Sequence, residues 1–343
     1  MKRINLALQG GGAHGAFTWG VLDRILDEDD IEVAAITGTS AGALNGAAFK
    51  AGMVRGGRDA ARANLDWFWE QVGAVNAPDA QAWLQALGPA AGVIAATTAV
   101  SPAYMAFDAV ARMTSPYLYG DIFANPLARI VRDMRFDDIC SDTGPALFVG
   151  ATNVRTGKIR VFSAAELTPE ALMASACLPT LFQAVEIPDP KTGRVEAYWD
   201  GGYTGNPALF PLYQPALPDD IVIVNINPLV RADVPKTAEA ISNRINEIGF
   251  NTSLLGELRA VAFVQRLLAQ GALQRGTMKA ANIHMIEDDA LMNTLNVATK
   301  TIPQPVILAR LKAAGRAAAD AFLADHKDDL NQRSTVDLAA MFN

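Results

Sequence analysis

The stretch Val33-Ala34-Ala35-Ile36-Thr37-Gly38-Thr39-Ser40-Ala41-Gly42 decides how this chain is read. Its first four residues are a continuous apolar run, the pattern of a strand buried on both faces of a parallel sheet. Gly38 to Gly42 then spell G-x-S-x-G. Between a strand and a helix, that turn sets a serine on a tight elbow with its hydroxyl exposed above the sheet. Glycine is needed on either side because a Cβ there would collide with neighbouring backbone. Ala41 is small for the same reason, and its N–H, at the start of a helix, can face a developing oxyanion. Residues 41–51 are mostly small and read as a helix able to pack closely on the sheet.

Upstream, residues 3–8 read as a short strand that ends at Gly10-Gly11-Gly12-Ala13-His14-Gly15. Residues 16–26 have helical spacing, with Phe17, Val21, Leu22, Ile25 and Leu26 on one side. The first fifty residues are thus a βαβα unit, which implies an α/β fold with a mostly parallel central sheet. Further strands are expected at 146–152, 159–162, 221–226 and 282–286, and an Ala-rich helix at 303–326. No internal repeat or low-complexity linker interrupts the chain, so a single domain with insertions is the expectation.

The glycine loop also satisfies G-x-G-x-x-G, the dinucleotide-binding pattern. That fold needs an acidic residue closing the second strand to hold the ribose. Here the strand closes on Gly38-Thr39-Ser40, and the nearest acid, Glu32, precedes it. Three successive glycines instead offer converging N–H donors, the requirement of an oxyanion hole. His14 reads either as an aid to anion binding by the loop or as a polar surface residue.

Composition limits the function classes. Of the 343 residues, 50% are hydrophobic and 19% charged, a globular balance. A net charge of −7 and a pI near 5.1 argue against a nucleic-acid partner. Cys140 and Cys177 are too few for a disulfide framework or a structural zinc site, which fits a reducing cytoplasm. Met1-Lys2-Arg3 is basic, but the apolar run after it is too short for a signal peptide. Residues 80–107 contain no charge, a length that raises a transmembrane reading. Pro89, Pro102 and a predominance of Ala and Gly oppose insertion. A lid packed over a site is the sharper expectation there, and a plain buried helix pair the blander one.

A serine nucleophile needs a base. Ser40, Asp200 and His284 follow the Ser, acid, His order of α/β-hydrolases. That fold, however, places several strands before its elbow, and here one precedes it. His284 also sits inside a strand-like run, where a structural histidine is the commoner outcome. Asp200 ends Tyr198-Trp199-Asp200-Gly201-Gly202, an apolar approach into a glycine turn that leaves the carboxylate free to reach out. A carboxylate within reach of Oγ can accept the serine proton and later activate water.

As a set, Gly10-Gly11-Gly12-Ala13-His14-Gly15, Gly38-Thr39-Ser40-Ala41-Gly42 and Asp200-Gly201-Gly202 resemble the motifs of the patatin-like phospholipases. Ala151-Thr152-Asn153-Val154-Arg155-Thr156-Gly157 and Ala174-Ser175-Ala176-Cys177-Leu178-Pro179-Thr180-Leu181-Phe182 are similar to two further blocks of that family. The resemblance runs in order from Ile4 to Leu209. It implies a three-layer αβα fold and a serine acyl hydrolase with a Ser–Asp dyad. Ser40 would be the nucleophile, Asp200 the base, and Gly10, Gly11, Gly12 and Ala41 the oxyanion donors. His14, Gly15, Gly38, Gly42, Gly201 and Gly202 would support the motifs. At the place of His14 the family more often has Arg or Lys.

The resemblance divides the chain into a catalytic core, 1–227, with a cap insertion at about 60–125, and a mainly helical extension, 228–343. In the extension Ile241, Ile245, Ile248, Leu255, Leu258 and Ala262 recur at helical spacing, with Leu254, Val261, Leu267 and Leu268 widening the stripe. They read as a helix covering the core, or as a surface for self-association or lipid contact. The expected function is cytoplasmic hydrolysis of a lipid or lipid-like ester, with no cofactor, no metal and peripheral contact with a membrane or lipid granule. Two other readings are a depolymerase of polyhydroxyalkanoate storage polyester and a non-catalytic lipid-binding or scaffold protein.

Overall fold

The computed structural model describes residues 1–74, 91–99, 101–118, 125–274 and 276–342. Among them lie eight strands: β1 (Lys2–Leu8), β2 (Ile31–Thr39), β3 (Ala146–Asn153), β4 (Ile159–Ser163), β5 (Val185–Asp189), β6 (Arg194–Asp200), β7 (Asp220–Val224) and β8 (Asn282–Ile286). They form one sheet in the order β5-β6-β3-β2-β1-β7-β8, with β4 pairing β3 off that path. The run from β3 to β8 is parallel. β4, β5 and β6 join antiparallel.

The helices are α1 (Ala16–Ile25), α2 (Ala41–Val72), α3 (Ala91–Ala99), α4 (Pro102–Met113), α5 (Leu127–Arg132), α6 (Phe136–Ile139), α7 (Pro169–Ser175), α8 (Ala238–Ala269), α9 (Asp289–Met292), α10 (Val297–Thr301), α11 (Pro305–His326) and α12 (Leu338–Phe342). They cover both faces of the sheet. Period-two alternation along the strands divides the core accordingly. Leu6, Leu8, Val222 and Val224 pack with α1, α2, α7 and α11. Ala7, Ile221, Ile223 and Ile283 pack with Leu254, Leu258 and Val261 of α8 and Leu338 of α12. A central strand buried on both faces favours apolar residues in succession, which is why β7 runs Ile-Val-Ile-Val after Asp220, whose buried carboxylate is partnered by His284.

The four strands expected beyond the first fifty residues, now β3, β4, β7 and β8, fall within two residues of their expected bounds. The β5–β6 hairpin was not expected, because Glu186, Pro188, Arg194 and Glu196 break up its apolar pattern. The helix after the serine runs on to Val72, across a break at Gly56 and Gly57. Trp69 comes back to stack on Trp19 of α1, with ring centroids 5.9 Å apart. The stripe read along α8 splits in two. Leu254, Leu258 and Val261 are buried, whereas Ile241, Ile245 and Ile248 stand exposed.

Of the uncharged stretch 80–107, residues 80–90 and 100 lie outside the described residues, as does the side chain of Phe107. Within α3, Ala95 is buried and its carbonyl accepts a hydrogen bond from Asn296 Nδ2 at 3.0 Å, while Ile94 packs against the core. Val110 and Ala111 of α4 line a cavity over the serine. No helix among the described residues is long and apolar enough to cross a membrane.

Candidate active site

Ser40 links β2 to α2 at φ 53° and ψ −123°, a conformation an L-residue adopts only under constraint. Its N–H donates to Ser175 Oγ at 2.9 Å, and that hydroxyl donates to the Gly150 carbonyl at 2.6 Å. Thr39 Oγ1 donates to the Gly205 carbonyl at 2.6 Å. The elbow is thereby held to β3, to α7 and to the turn after β6. Gly38 closes β2, and Gly42 lies in the first turn of α2. A Cβ on Gly42 would sit 2.1 Å from the Leu8 carbonyl oxygen, so no other residue fits.

Sheet register brings the acid to the serine. Thr39 on β2 pairs with Gly150 on β3, and the next residue, Ala151, pairs with Asp200 at the end of β6. Asp200 is buried. Its N–H donates to the Cys177 carbonyl at 2.8 Å, and its own carbonyl accepts from Thr152 Oγ1 at 2.8 Å. Gly201 and Gly202 turn the chain straight back, so that the Gly202 N–H donates to Asp200 Oδ1 at 2.8 Å. Burial dominates this carboxyl and pushes it up to about 7, against the opposing effects of the Gly202 N–H and the Ser40 side chain, both of which favour the charged form. Burial, followed by the neighbouring Asp200, pushes the Cys177 thiol up to about 12.

The glycine loop differs in one respect from expectation. The Gly10 N–H is taken by Asn206 Oδ1 at 2.6 Å, so Gly10 is a brace rather than a free donor. Asn227 Nδ2 secures the Gly10 carbonyl at 2.9 Å. Gly11 and Gly12 line the cavity together with Ser40 and Ala41. Ala41 is the first residue of α2, where an amide has no intrahelical acceptor. Gly12 has φ +58°, and a Cβ on it would meet the Lys300 carbonyl oxygen at 2.2 Å. The Gly15 carbonyl accepts from Asn45 Nδ2 at 3.1 Å, and Asn45 Oδ1 accepts from Trp69 Nε1 at 3.0 Å.

His14 is not a surface residue. It is buried, its Nε2 sits 2.8 Å from Thr299 Oγ1, and burial, then Lys300, lowers its pKa well below the usual histidine range. A neutral imidazole tied to α10 is a structural clamp. His284 is not brought to Ser40. It lies on β8, three strands from β2, a lateral separation of about 14 Å. Its Nε2 is 2.9 Å from Asp220 Oδ1 and its Nδ1 3.1 Å from Thr335 Oγ1.

Ser40 and Asp200 open into a cavity of about 830 Å³. Leu44, Phe68, Val72, Leu178, Leu181 and Phe182 supply much of its apolar wall, a size and lining suited to an acyl chain. Asn246, Phe250, Val297 and Lys300 add a wall from beyond residue 227. Sequence reading missed Ser175, Asn206, Asn227 and Lys300 as parts of the site. Ser175 was at hand inside a quoted motif block. For Lys300 there was no signal, since nothing local ties it to the glycine loop.

A mixed, mostly parallel sheet layered by helices, with a serine elbow and a buried carboxyl at one cavity, defines a serine-hydrolase-like α/β architecture. A family model, "Patatin-like phospholipase", matches residues 6–213. The chain belongs to that family and is an ester hydrolase of the lipid acyl hydrolase class. Two solved structures are similar. VipD from Legionella pneumophila matches at 16% identity and TM-score 0.42, over 95% of this chain and 67% of that one. The ExoU–SpcU complex of the Pseudomonas aeruginosa type III secretion system matches at 17% identity and TM-score 0.27, over 95% and 60%. A search of curated proteins found no match.

Proposed function

We propose that the chain cleaves lipid carboxylic esters through a Ser40–Asp200 dyad. Asp200 takes the hydroxyl proton as Ser40 Oγ bonds to the ester carbonyl carbon. The oxyanion that forms faces the N–H groups of Gly11, Gly12 and Ala41. Its collapse breaks the ester C–O bond, and the alcohol leaves with the proton held by Asp200. A water then attacks the acyl-Ser40, gives its proton to Asp200, and the second collapse returns Ser40 and releases the carboxylic acid.

The observation that carries this reading is the pairing of a strained serine with a buried carboxyl raised to about 7, both opening on one apolar cavity. A base of that strength is matched to proton transfer near neutral pH. The family match supports the lipid ester class. In this reading residues 1–227 are the catalytic core, and 228–343 an extension that completes the site through Lys300, Asn246 and Phe250. Ser40→Ala fits the same turn, so it should abolish both ester hydrolysis and fluorophosphonate labelling in a folded protein. Labelling of the variant at the wild-type rate would remove Ser40 from the mechanism. A panel of phospholipids, acylglycerols, p-nitrophenyl esters and polyester granules then separates the substrates.

A further inference from the structure

Among the described residues lining the cavity only Arg129, Asp200 and Lys300 are charged. Asp200 is the proposed base, and Arg129 is exposed at the wall contributed by α5. Lys300 is different. It comes from α10, outside the residues that match the family, and its backbone packs against Gly12 of the oxyanion loop.

The Lys300 ammonium donates to two neutral amide oxygens, Asn227 Oδ1 at 2.8 Å and Asn246 Oδ1 at 3.3 Å. An ammonium has three donors, so its capacity is not exhausted. Glu247 acts on it electrostatically, but that carboxylate is engaged by Arg231 at 2.5 and 2.8 Å and by Arg244 at 3.1 Å. Among the described residues Lys300 has no carboxylate in ion-pair contact. Burial brings its ammonium down to about 8, which leaves it mostly charged at neutral pH. Asn227 fixes the Lys300 position relative to the loop, because its Nδ2 also donates to Gln9 Oε1 and to the Gly10 carbonyl.

A cation on the wall of an apolar cavity, held by two amide oxygens and 6.0 Å from the Phe250 ring centroid but with no carboxylate in contact, carries a desolvation cost. An entering anion recovers that cost and gains a charge-assisted hydrogen bond. Arg129 and Lys300 face a single carboxyl, so the wall is net positive even with Asp200 ionised, in a chain of net charge −7. We propose that Lys300 is the anion-binding residue of this pocket, and that it takes a phosphate group carried by the same molecule as the scissile acyl ester. This rests on the reading of Ser40 as nucleophile and adds a specificity residue to it. The apolar wall takes the acyl chain, and Lys300 takes the phosphate.

Calorimetric binding of decyl phosphate, decanoate and decanol tests the proposal without requiring turnover, so a failure of the Ser40 mechanism would leave it testable. The wild-type protein should bind decyl phosphate about tenfold or more tighter than decanol. Lys300→Met should bring that ratio close to one, and Lys300→Arg should keep most of it. If the wild-type protein shows no preference for the phosphate, the proposal falls, with no variant needed. It falls equally if folded Lys300→Met keeps the preference. Decanoate bound as tightly as decyl phosphate would replace the phosphate with a carboxylate, the group at the end of a hydroxyalkanoate oligomer, and overturn the substrate class.

Discussion

At the scale of the residue, the proposed base Asp200 gives the mechanism a pH dependence that can be measured. Its carboxyl titrates at about 7 in the folded chain, against 3.8 in an unperturbed one. The proposed mechanism uses the ionised form, so kcat/KM for a soluble ester should rise with pH through about 7 and then level. Asp200→Asn should lose about a thousandfold in rate, the contribution of a positioned base. Stability should move the other way. Between pH 4 and 7 the folded state holds a proton that the unfolded state has released, so folding weakens as pH rises and the loss is complete above the folded pKa. Asn carries no charge to desolvate and can still accept the Gly202 N–H. Asp200→Asn should therefore melt higher than wild type at pH 8, by at most about 4 kcal/mol, with the gap closing towards pH 4. Thermal unfolding at the two pH values reads this. A variant that melts lower at pH 8 would mean burial is not what raises the carboxyl.

At the scale of the element, β8 separates stability from catalysis. It extends the sheet from β7, and His284 on it holds Asp220 and Thr335 through its two ring nitrogens. Asp220 also accepts the Asn331 N–H at 2.7 Å, so one carboxylate gathers β7, β8 and the C-terminal segment. His284→Ala leaves that buried carboxylate short of a partner and should cost about 1–3 kcal/mol of stability. The kcat should stay at its wild-type value, because three strand spacings separate β8 from the Ser40 elbow. Denaturant midpoint and kcat, measured together, check both parts. A folded His284→Ala as inactive as Ser40→Ala would restore a triad.

At the scale of the whole molecule, the proposed substrate, a long-chain lipid ester, would leave an aggregate to reach the cavity. Val110 and Pro116 line it, and in the same stretch Met113 and Leu118 are 86% and 74% exposed. Exposed apolar side chains beside a lipid cavity suit transient burial in a lipid surface. Met113→Asp should lower hydrolysis of aggregated long-chain lipid by about tenfold relative to a soluble short-chain ester, because the charge opposes insertion. Vesicle and p-nitrophenyl butyrate assays side by side give that ratio. Equal losses on both substrates would make the segment a structural part of the pocket.

The elbow, the carboxyl beside it and the family were legible in the sequence alone. Ser40, Gly42, Asp200 and Gly202 act through backbone geometry within a few residues, and such geometry leaves a local pattern of glycines and small side chains. The strands were legible for the same reason, since β-branched apolar runs report burial on both faces. Only the tertiary structure decided what depends on approach between distant segments. The Gly10 N–H looked free until Asn206 reached it, and His14, open to a loop or a surface reading, is buried in the fold with Thr299 as its partner. The edge hairpin hid behind its charges. Lys300 entered the site because α10 packs on the glycine loop, a contact across almost three hundred residues that no local pattern encodes.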